Sequence, residues 1–277
     1  MPATTAISSD KLARLVGTPA CPAIVDVRTD ADFAASPVQI PGSTRRKFEY
    51  VEGWSPEFVG KPVVVACARG GGISAGVAAW LRAAGARAET LDGGVEAWLQ
   101  AGLPAVPEAS LPPRDALGRT LWVTRARPKV DRIACPWLIR RFVDRDATFL
   151  FVPPGEVAEV AERFDATPFD VDGVHWSHRG DLCTFDVMVE LFGLTGFPAL
   201  DRLALIVRGA DTARTELAPQ CAGLLAASLG LSRMYGDDLE QLEAGMGLYD
   251  AFYRWCRDAV EETHDWVSHQ PRARVKA

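Results

Sequence analysis

The sequence predicts an α/β protein in two parts, a parallel sheet flanked by helices followed by a mainly helical α+β domain. Residues 23–27 and 62–66 are short, apolar, β-branched runs typical of buried strands. Helical patterns lie near them over residues 11–16 and 75–84, and strands that alternate with helices favour a parallel sheet. Later in the chain, apolar residues spaced by three and four predict one buried face of a long helix, formed by Leu239, Leu242, Met246, Tyr249, Tyr253 and Cys256.

A proline-rich stretch divides the two parts. Residues 101–114 carry four prolines and little periodicity, which is typical of an interdomain linker. We therefore predict a first domain over residues 1–106, a linker over 107–118, a second domain over 119–260 and a polar tail over 261–277.

Composition and charge limit the classes of function. The chain has 277 residues, 48% of them hydrophobic, which suffices for two globular cores. Its formal net charge of −6 gives no broad attraction to a phosphate backbone, and no helix-turn-helix pattern stands out, so direct DNA binding is disfavoured. No apolar run of about 18 residues predicts a membrane span, and the N-terminus lacks the features of a secretory signal. We expect a cytoplasmic protein without a membrane partner, and the sequence leaves its oligomeric state undetermined.

The six cysteines are spaced too widely to suggest a disulfide framework. None forms a CxxC pair, so we expect a reduced protein in which at least three cysteines are small core residues. The cysteines are Cys21, Cys67, Cys135, Cys183, Cys221 and Cys256.

Cys67 is the candidate nucleophile because of where it lies in the pattern. It directly follows a predicted strand, and glycines then lead into a helical pattern that begins near Ser74. Ligand sites of open α/β sheets lie at the carboxyl ends of strands, and glycine-rich backbone can turn its N–H groups inward to bind an anion. A helix N-terminus also favours thiolate over thiol. The alternative is a buried strand-end cysteine followed by a simple turn. The predicted anion-binding loop consists of Gly70, Gly71, Gly72, Ile73 and Ser74.

Three separated motifs occur in the order typical of the rhodanese family. The first is formed by Asp26-Val27-Arg28, Phe33 and Ile40-Pro41-Gly42-Ser43. The second is the Cys67 loop. The third is formed by Leu91-Asp92-Gly93-Gly94, Trp98 and Gly102-Leu103-Pro104. Residues 7–104 thus resemble a rhodanese-like domain, which implies a rhodanese-like parallel sheet.

The resemblance also implies a reaction. Cys67 would accept sulfur from a small donor as a persulfide and pass it to a thiol acceptor or cyanide. Asp26 and Arg28 would support this site from a neighbouring strand end, with a structural ion pair as the alternative. Arg69 is the only cation within the loop and would be its charged catalytic group.

Two departures from the family pattern affect the choice of substrate. Six residues separate Cys67 from Ser74, where the family usually has five, and Ile73 stands where an arginine is usual. A longer loop is expected to be wider, so a bulkier oxyanion such as phosphate, arsenate or chromate becomes a candidate beside thiosulfate. Gln39 also replaces a histidine often found before the Ile-Pro-Gly motif.

The second half resembles the C-terminal domain of chromate-resistance proteins of the ChrB type. The likeness runs through residues 122–154, 177–186, 206–212 and 224–238 and covers most of residues 119–258. It implies a link to chromate or oxidative stress without specifying a reaction.

Two polar sites are predicted in this half. Pro136 should stand in the first turn of a helix, which would place Cys135 at the cap and Arg132 beside it. We predict an anion site there, with a solvated basic face as the alternative. The sequence establishes no cofactor, but Asp131, His178 and Asp211 could hold a divalent transition metal. The alternative for these three is a structural network of hydrogen bonds and ion pairs.

Three functional hypotheses follow. The first is a sulfurtransferase fused to a chromate-resistance domain, with a small sulfur donor and a thiol acceptor. The second is a sensor that binds an oxyanion and reports it to a partner. The third is redox detoxification, in which a metal or thiol site in the second domain reduces chromate.

Overall fold

Five parallel strands form the main sheet of the N-terminal half, in the order β1-β6-β5-β2-β4. The structure is a computed structural model that describes residues 5–115 and 118–262. The strands of this half are β1 (Ala6–Ile7), β2 (Ala23–Asp26), β3 (Val38–Gln39), β4 (Ser43–Arg45), β5 (Pro62–Ala66), β6 (Arg87–Leu91) and β7 (Val106–Pro107). The helices are α1 (Ser9–Ala13), α2 (Asp30–Ala35), α3 (Val51–Trp54), α4 (Gly72–Ala83) and α5 (Gly94–Gln100). The predicted parallel sheet flanked by helices is confirmed.

The central strand β5 shows why this sheet forms. Its residues Val63, Val64, Val65 and Ala66 are all at most 1% exposed. An unbroken β-branched run suits a parallel strand that is covered by helices on both faces. Because β5 lies between β2 and β6, its carboxyl end delivers Cys67 to the middle of the sheet edge.

The C-terminal half is mainly helical around a small parallel sheet of order β10-β8-β9, as predicted. Its strands are β8 (Leu121–Arg125), β9 (Thr148–Val152) and β10 (Thr167–Pro168). Its helices are α6 (Asp131–Phe142), α7 (Val157–Phe164), α8 (Thr184–Leu191), α9 (Pro198–Asp211), α10 (Cys221–Met234) and α11 (Asp238–Asp258). The predicted buried face of α11 is present except at Leu239, which lies in the first turn and is 50% exposed.

The start of α6 differs from the prediction. The helix begins at Asp131, five residues before Pro136, so Cys135 lies inside the helix and not at its cap. A proline inside a helix costs about 3 kcal/mol. Here Cys135, Pro136 and Trp137 are all buried, and this packing outweighs the local preference of the proline.

The two halves pack against each other through a shared hydrophobic core. The Gly42 N–H donates to the Phe142 carbonyl at 2.6 Å, and the Arg257 guanidinium donates to the Arg14 carbonyl at 2.6 Å. Gly17 adopts a φ of 77° and has no room for a Cβ beside the ring of Phe142. The aromatic rings of α6 and α11 therefore rest directly on the first domain.

The segment after α5 returns to the first sheet region before the second half begins. β7 pairs with β3 in an antiparallel ribbon, and the Gln39 side chain donates to the Glu108 carboxylate at 2.5 Å.

Apart from residues 261 and 262, the predicted polar tail lies outside the described residues. Within the described part of the chain, no helix combines the length and the apolar character needed to cross a bilayer.

Candidate functional site

Cys67 lies at the carboxyl end of β5, where the chain turns into α4. The residue as a whole is 6% exposed, and its Sγ lies 3.1 Å from the Ser74 Oγ. The Gly71 N–H donates to the same sulfur at 3.2 Å. The helix that follows begins at Gly72, slightly earlier than predicted, so its N-terminal end lies close to the sulfur.

The motif at the start of α5 fixes the shape of this loop. The Val95 N–H donates to the Cys67 carbonyl and the Glu96 N–H to the Ala68 carbonyl, both at 2.9 Å. Gly94 adopts a φ of 64°, and a Cβ added there would lie 2.6 Å from the Ala68 oxygen. The Gly93-Gly94 pair of the third motif therefore allows the start of α5 to approach the backbone of the Cys67 loop closely.

The surroundings of Cys67 favour its thiolate. Burial acts to raise the pKa of Cys67, but hydrogen bonds from Ser74 and from the backbone of Gly71 and Arg69 outweigh it and lower the pKa below the usual value. By contrast, burial raises the pKa of Cys21 to about 11. A lowered pKa is typical of a reactive cysteine.

Ser74→Ala is expected to raise the pKa of Cys67, because the hydroxyl that lies beside Sγ would be lost. At neutral pH the rate of alkylation by iodoacetamide should fall by roughly threefold to tenfold, following the smaller thiolate fraction. The measurement is the alkylation rate as a function of pH, with mass spectrometry assigning the modified residue. An unchanged pH profile would contradict a role for Ser74 in stabilising the thiolate.

The three charged residues predicted for this site lie in different settings. The side chain of Arg69 is 77% exposed and lies 3.6 Å from the Glu96 carboxylate, so it contributes its N–H and not its guanidinium near the sulfur. Asp26 and Arg28 form a buried ion pair at 2.6 Å. Arg28 also donates to the carbonyls of Ser36 and Val38. These contacts hold the segment after α2 against the sheet.

A second polar cluster lies in the C-terminal half. The His178 Nε2 is 3.3 Å from a carboxylate oxygen of Asp131, 3.4 Å from one of Asp170 and 3.3 Å from one of Asp211. Asp131 begins α6, Asp170 follows β10, His178 lies in the loop before α8, and Asp211 ends α9. The structure thus brings together all three residues predicted to bind a metal and adds Asp170.

Hydrogen bonds and ion pairs are distributed unevenly in this cluster. Asp170 pairs with Arg125 at 2.9 Å and Arg132 at 3.2 Å, and its other oxygen accepts from the Thr184 hydroxyl at 3.0 Å. The Asp131 Oδ2 is buried and accepts no hydrogen bond from the described residues.

The acidic neighbours also shift the pKa values of the cluster. Burial, followed by the charge of Asp131, raises the pKa of Asp211 to about 8. The Asp131 carboxylate, helped by Asp211 and Asp170, raises the pKa of His178 to about 9. Without a bound cation, the cluster therefore retains protons at neutral pH.

The predicted anion site at Arg132 and Cys135 does not form at a helix cap. Cys135 is fully buried inside α6, and burial, followed by the charge of Asp131, raises its pKa well above the usual value. Arg132 is taken up by Asp170, and the helix N-terminus carries the carboxylate of Asp131. The local charge therefore favours a cation over an anion.

Cys183 and Asp186, which lie close to His178 in the sequence, have a structural role. The Asp186 carboxylate accepts from the Cys183 N–H at 3.1 Å and forms the capping box of α8. Asp170 was missed by sequence reasoning because the cluster draws its residues from four separate segments of the chain and has no diagnostic spacing.

Comparisons with known proteins match each half of the chain to a different family. Residues 8–101 match the family described as rhodanese-like domain, and residues 122–256 match the family described as ChrB, C-terminal domain. Protein ChrB of Cupriavidus metallidurans is 38% identical over 133 residues, which cover 48% of this chain. The match covers 39% of that relative, so the chain spans about two fifths of the relative's length.

Solved structures resemble the first half. A rhodanese-related protein of Thermoplasma volcanium is 22% identical, with a TM-score of 0.32, over 36% of this chain and 96% of its own. A rhodanese-like domain protein of Staphylococcus aureus is 30% identical, with a TM-score of 0.31, over 34% of this chain and 89% of its own.

Proposed function

We propose that this chain, a rhodanese-like domain joined to a ChrB-type C-terminal domain, transfers sulfur through a persulfide on Cys67. The observation that carries the proposal is the Cys67 sulfur itself, which lies within hydrogen-bond distance of the Gly71 N–H and the Ser74 hydroxyl. Those contacts lower its pKa and offer donors to a second sulfur atom bound there.

The reaction proceeds in two displacements. The Cys67 thiolate attacks the outer sulfur of thiosulfate, the sulfur–sulfur bond of the donor breaks, and sulfite leaves with the bonding electron pair. An acceptor thiolate then attacks the outer sulfur of the persulfide. The new bond forms a persulfide on the acceptor, and Cys67 leaves as a thiolate, ready for another cycle.

Cys67→Ser is expected to abolish this transfer. After incubation with thiosulfate and removal of excess donor, the whole-protein mass should rise by one sulfur atom in the parent chain and remain unchanged in the variant. Cyanide should remove the added sulfur as thiocyanate.

Cys21→Ser is the matched control, because Cys21 is a free cysteine whose pKa is raised. It should acquire the sulfur like the parent chain. Full sulfur loading of Cys67→Ser, or none in Cys21→Ser, would exclude Cys67 as the specific carrier.

A second candidate function is chromate or oxyanion sensing or detoxification. The match of residues 122–256 to the ChrB C-terminal domain supports it. A gel-shift assay with promoter DNA at physiological salt, with and without chromate, separates it from the enzyme. A chromate-dependent shift would favour the sensor, and sulfur transfer without any shift would favour the enzyme.

A further inference from the structure

We propose that Asp131, Asp170, His178 and Asp211 form a binding site for a divalent first-row transition metal ion, with Zn²⁺ as the best fit. This cluster plays no part in the sulfur transfer proposed for Cys67. The inference rests on the spacing of the ligand atoms, on one unsatisfied buried oxygen and on the balance of charge.

The spacing suits an ion held by Asp131, Asp170 and His178, with Asp211 beside them. The Asp131, Asp170 and Asp211 oxygens lie 3.3, 3.4 and 3.3 Å from the His178 Nε2. Bonds from Zn²⁺ to imidazole nitrogen and carboxylate oxygen are roughly 2.0–2.2 Å, which places tetrahedral ligand atoms about 3.3–3.5 Å apart. The ligand atoms of Asp131, Asp170 and His178 all lie within 4.8 Å of one another, so one ion can reach these three, and the Asp211 carboxylate, 3.3 Å from the His178 Nε2, is near enough to join as the fourth ligand.

The unsatisfied oxygen is the Oδ2 of Asp131. The Asp131 side chain is 3% exposed, and this oxygen accepts no hydrogen bond within residues 5–115 and 118–262. Its one ion-pair contact among these residues, the His178 Nε2 at 3.3 Å, does not have hydrogen-bond geometry, and coordination of a cation would satisfy the oxygen fully. The oxygen is directed at the shared centre, since it is the atom of Asp131 that lies beside His178.

The charge balance points the same way. Arg125 and Arg132 both pair with Asp170. Across the described chain, no lysine or arginine forms a salt bridge with Asp131 or Asp211. Each of these two carboxylates has His178 as its ion-pair partner. When both are ionised, the buried Asp131 carboxylate and the half-buried Asp211 carboxylate exceed the single charge that His178 can carry, and a dication would neutralise the excess.

An ion could enter from solution. The cluster borders a cavity of about 250 Å³ that opens to the surface, and the His178 side chain is 41% exposed. Three carboxylates with one imidazole suit Zn²⁺ or Mn²⁺, whereas a site for a softer ion would be rich in thiolate. The buried thiol of Cys135 lies inside α6 and is not a member of the cluster.

The test is competition for Zn²⁺ between a coloured chelator and the full-length chain carrying Cys67→Ser, which removes the reactive thiolate. We expect one equivalent of Zn²⁺ to bind after prior removal of metals, with Mn²⁺ as the second probe. His178→Ala in the same background should weaken binding by at least roughly tenfold. Circular dichroism would verify that each variant is folded.

His175→Ala is the matched control, because His175 is an exposed histidine in the same loop that lies edge-on to Trp176 and outside the cluster. It should bind Zn²⁺ like its parent. Asp211→Asn is a second test and should weaken binding as well. The proposal would be overturned if neither Zn²⁺ nor Mn²⁺ bound stoichiometrically, or if His175→Ala and His178→Ala lost affinity equally.

Discussion

Gly94→Ala is expected to abolish persulfide formation on Cys67 and to lower the free energy of unfolding by about 3 kcal/mol. A methyl group on Gly94 would overlap the Cys67 carbonyl and approach the Ala68 carbonyl and the Gly70 nitrogen to 2.6 Å each. These are backbone atoms of the loop that presents the thiol, so relief of the clash must move that loop. The readouts are sulfur loading by mass spectrometry and urea unfolding.

Gly102→Ala isolates the clash from the cost of the backbone conformation. Gly102 has a φ of 67°, close to the 64° of Gly94, but a Cβ added there meets no atom within 4 Å. This control should lose about 1 kcal/mol from left-handed strain alone and keep its sulfur loading. If Gly94→Ala acquired as much sulfur as Gly102→Ala, the contact between Gly94 and the Cys67 loop would not be what positions Cys67.

The same loop shows how the departures from the family pattern affect the chemistry. Ile73, which stands where the family usually has an arginine, packs against the hydrophobic cluster that contains Val65 and Val77. The Arg69 guanidinium is exposed and paired with Glu96. Backbone N–H groups and the Ser74 hydroxyl therefore stabilise the thiolate, with little help from a cationic side chain.

Local patterns predicted most of the first domain. The strand that precedes Cys67 and the glycines after it are contiguous in sequence, so their arrangement follows from short-range rules. The pairing of Asp26 with Arg28 was left open between two roles, because its partners Ser36 and Val38 depend on how a loop folds back. The hydrogen bonds from Arg28 to these two carbonyls therefore depend on the packing of the loop and not only on its sequence.

Long-range packing explains what the sequence did not reveal in the second half. The rule that places a proline in the first turn predicts a helix start at Pro136, yet the buried surroundings of α6 extend the helix back to Asp131. Asp170 joins Asp131 only because β10 pairs with β8 and brings a distant loop alongside α6. Neither fact has a signature in residue spacing.

The metal-free cluster is expected to make the protein less stable as pH rises from about 4 to about 9. The pKa of Asp211 is raised from 3.8 to about 8, and that of His178 from 6.5 to about 9. Each group therefore holds a proton in the folded chain that the unfolded chain would release. The stability linked to these protons is complete below the unfolded pKa values and is lost as pH passes through the folded ones.

Asp131→Asn is expected to flatten this dependence, because the Asp131 carboxylate contributes to both shifts. In the Cys67→Ser background with a chelator present, the parent should lose about 3–6 kcal/mol between pH 6 and pH 9, and the variant clearly less. Cys21 and Cys256 have pKa values of about 11 and titrate above this window. Urea unfolding at several pH values provides the measurement.

At pH 8 without metal, the parent should be less stable to unfolding than Asp131→Asn. Zn²⁺ should make the parent the more stable of the two. The parent gains stability in proportion to the logarithm of free Zn²⁺ above its dissociation constant. Asp131→Asn, which lacks one ligand charge, should gain little. Asp181→Asn is the control, since the Asp181 side chain is 90% exposed and lies outside the cluster. It should behave like the parent in both experiments. A steep pH dependence that persists in Asp131→Asn would show that other groups hold the protons and that Asp131 is not the electrostatic centre of the cluster.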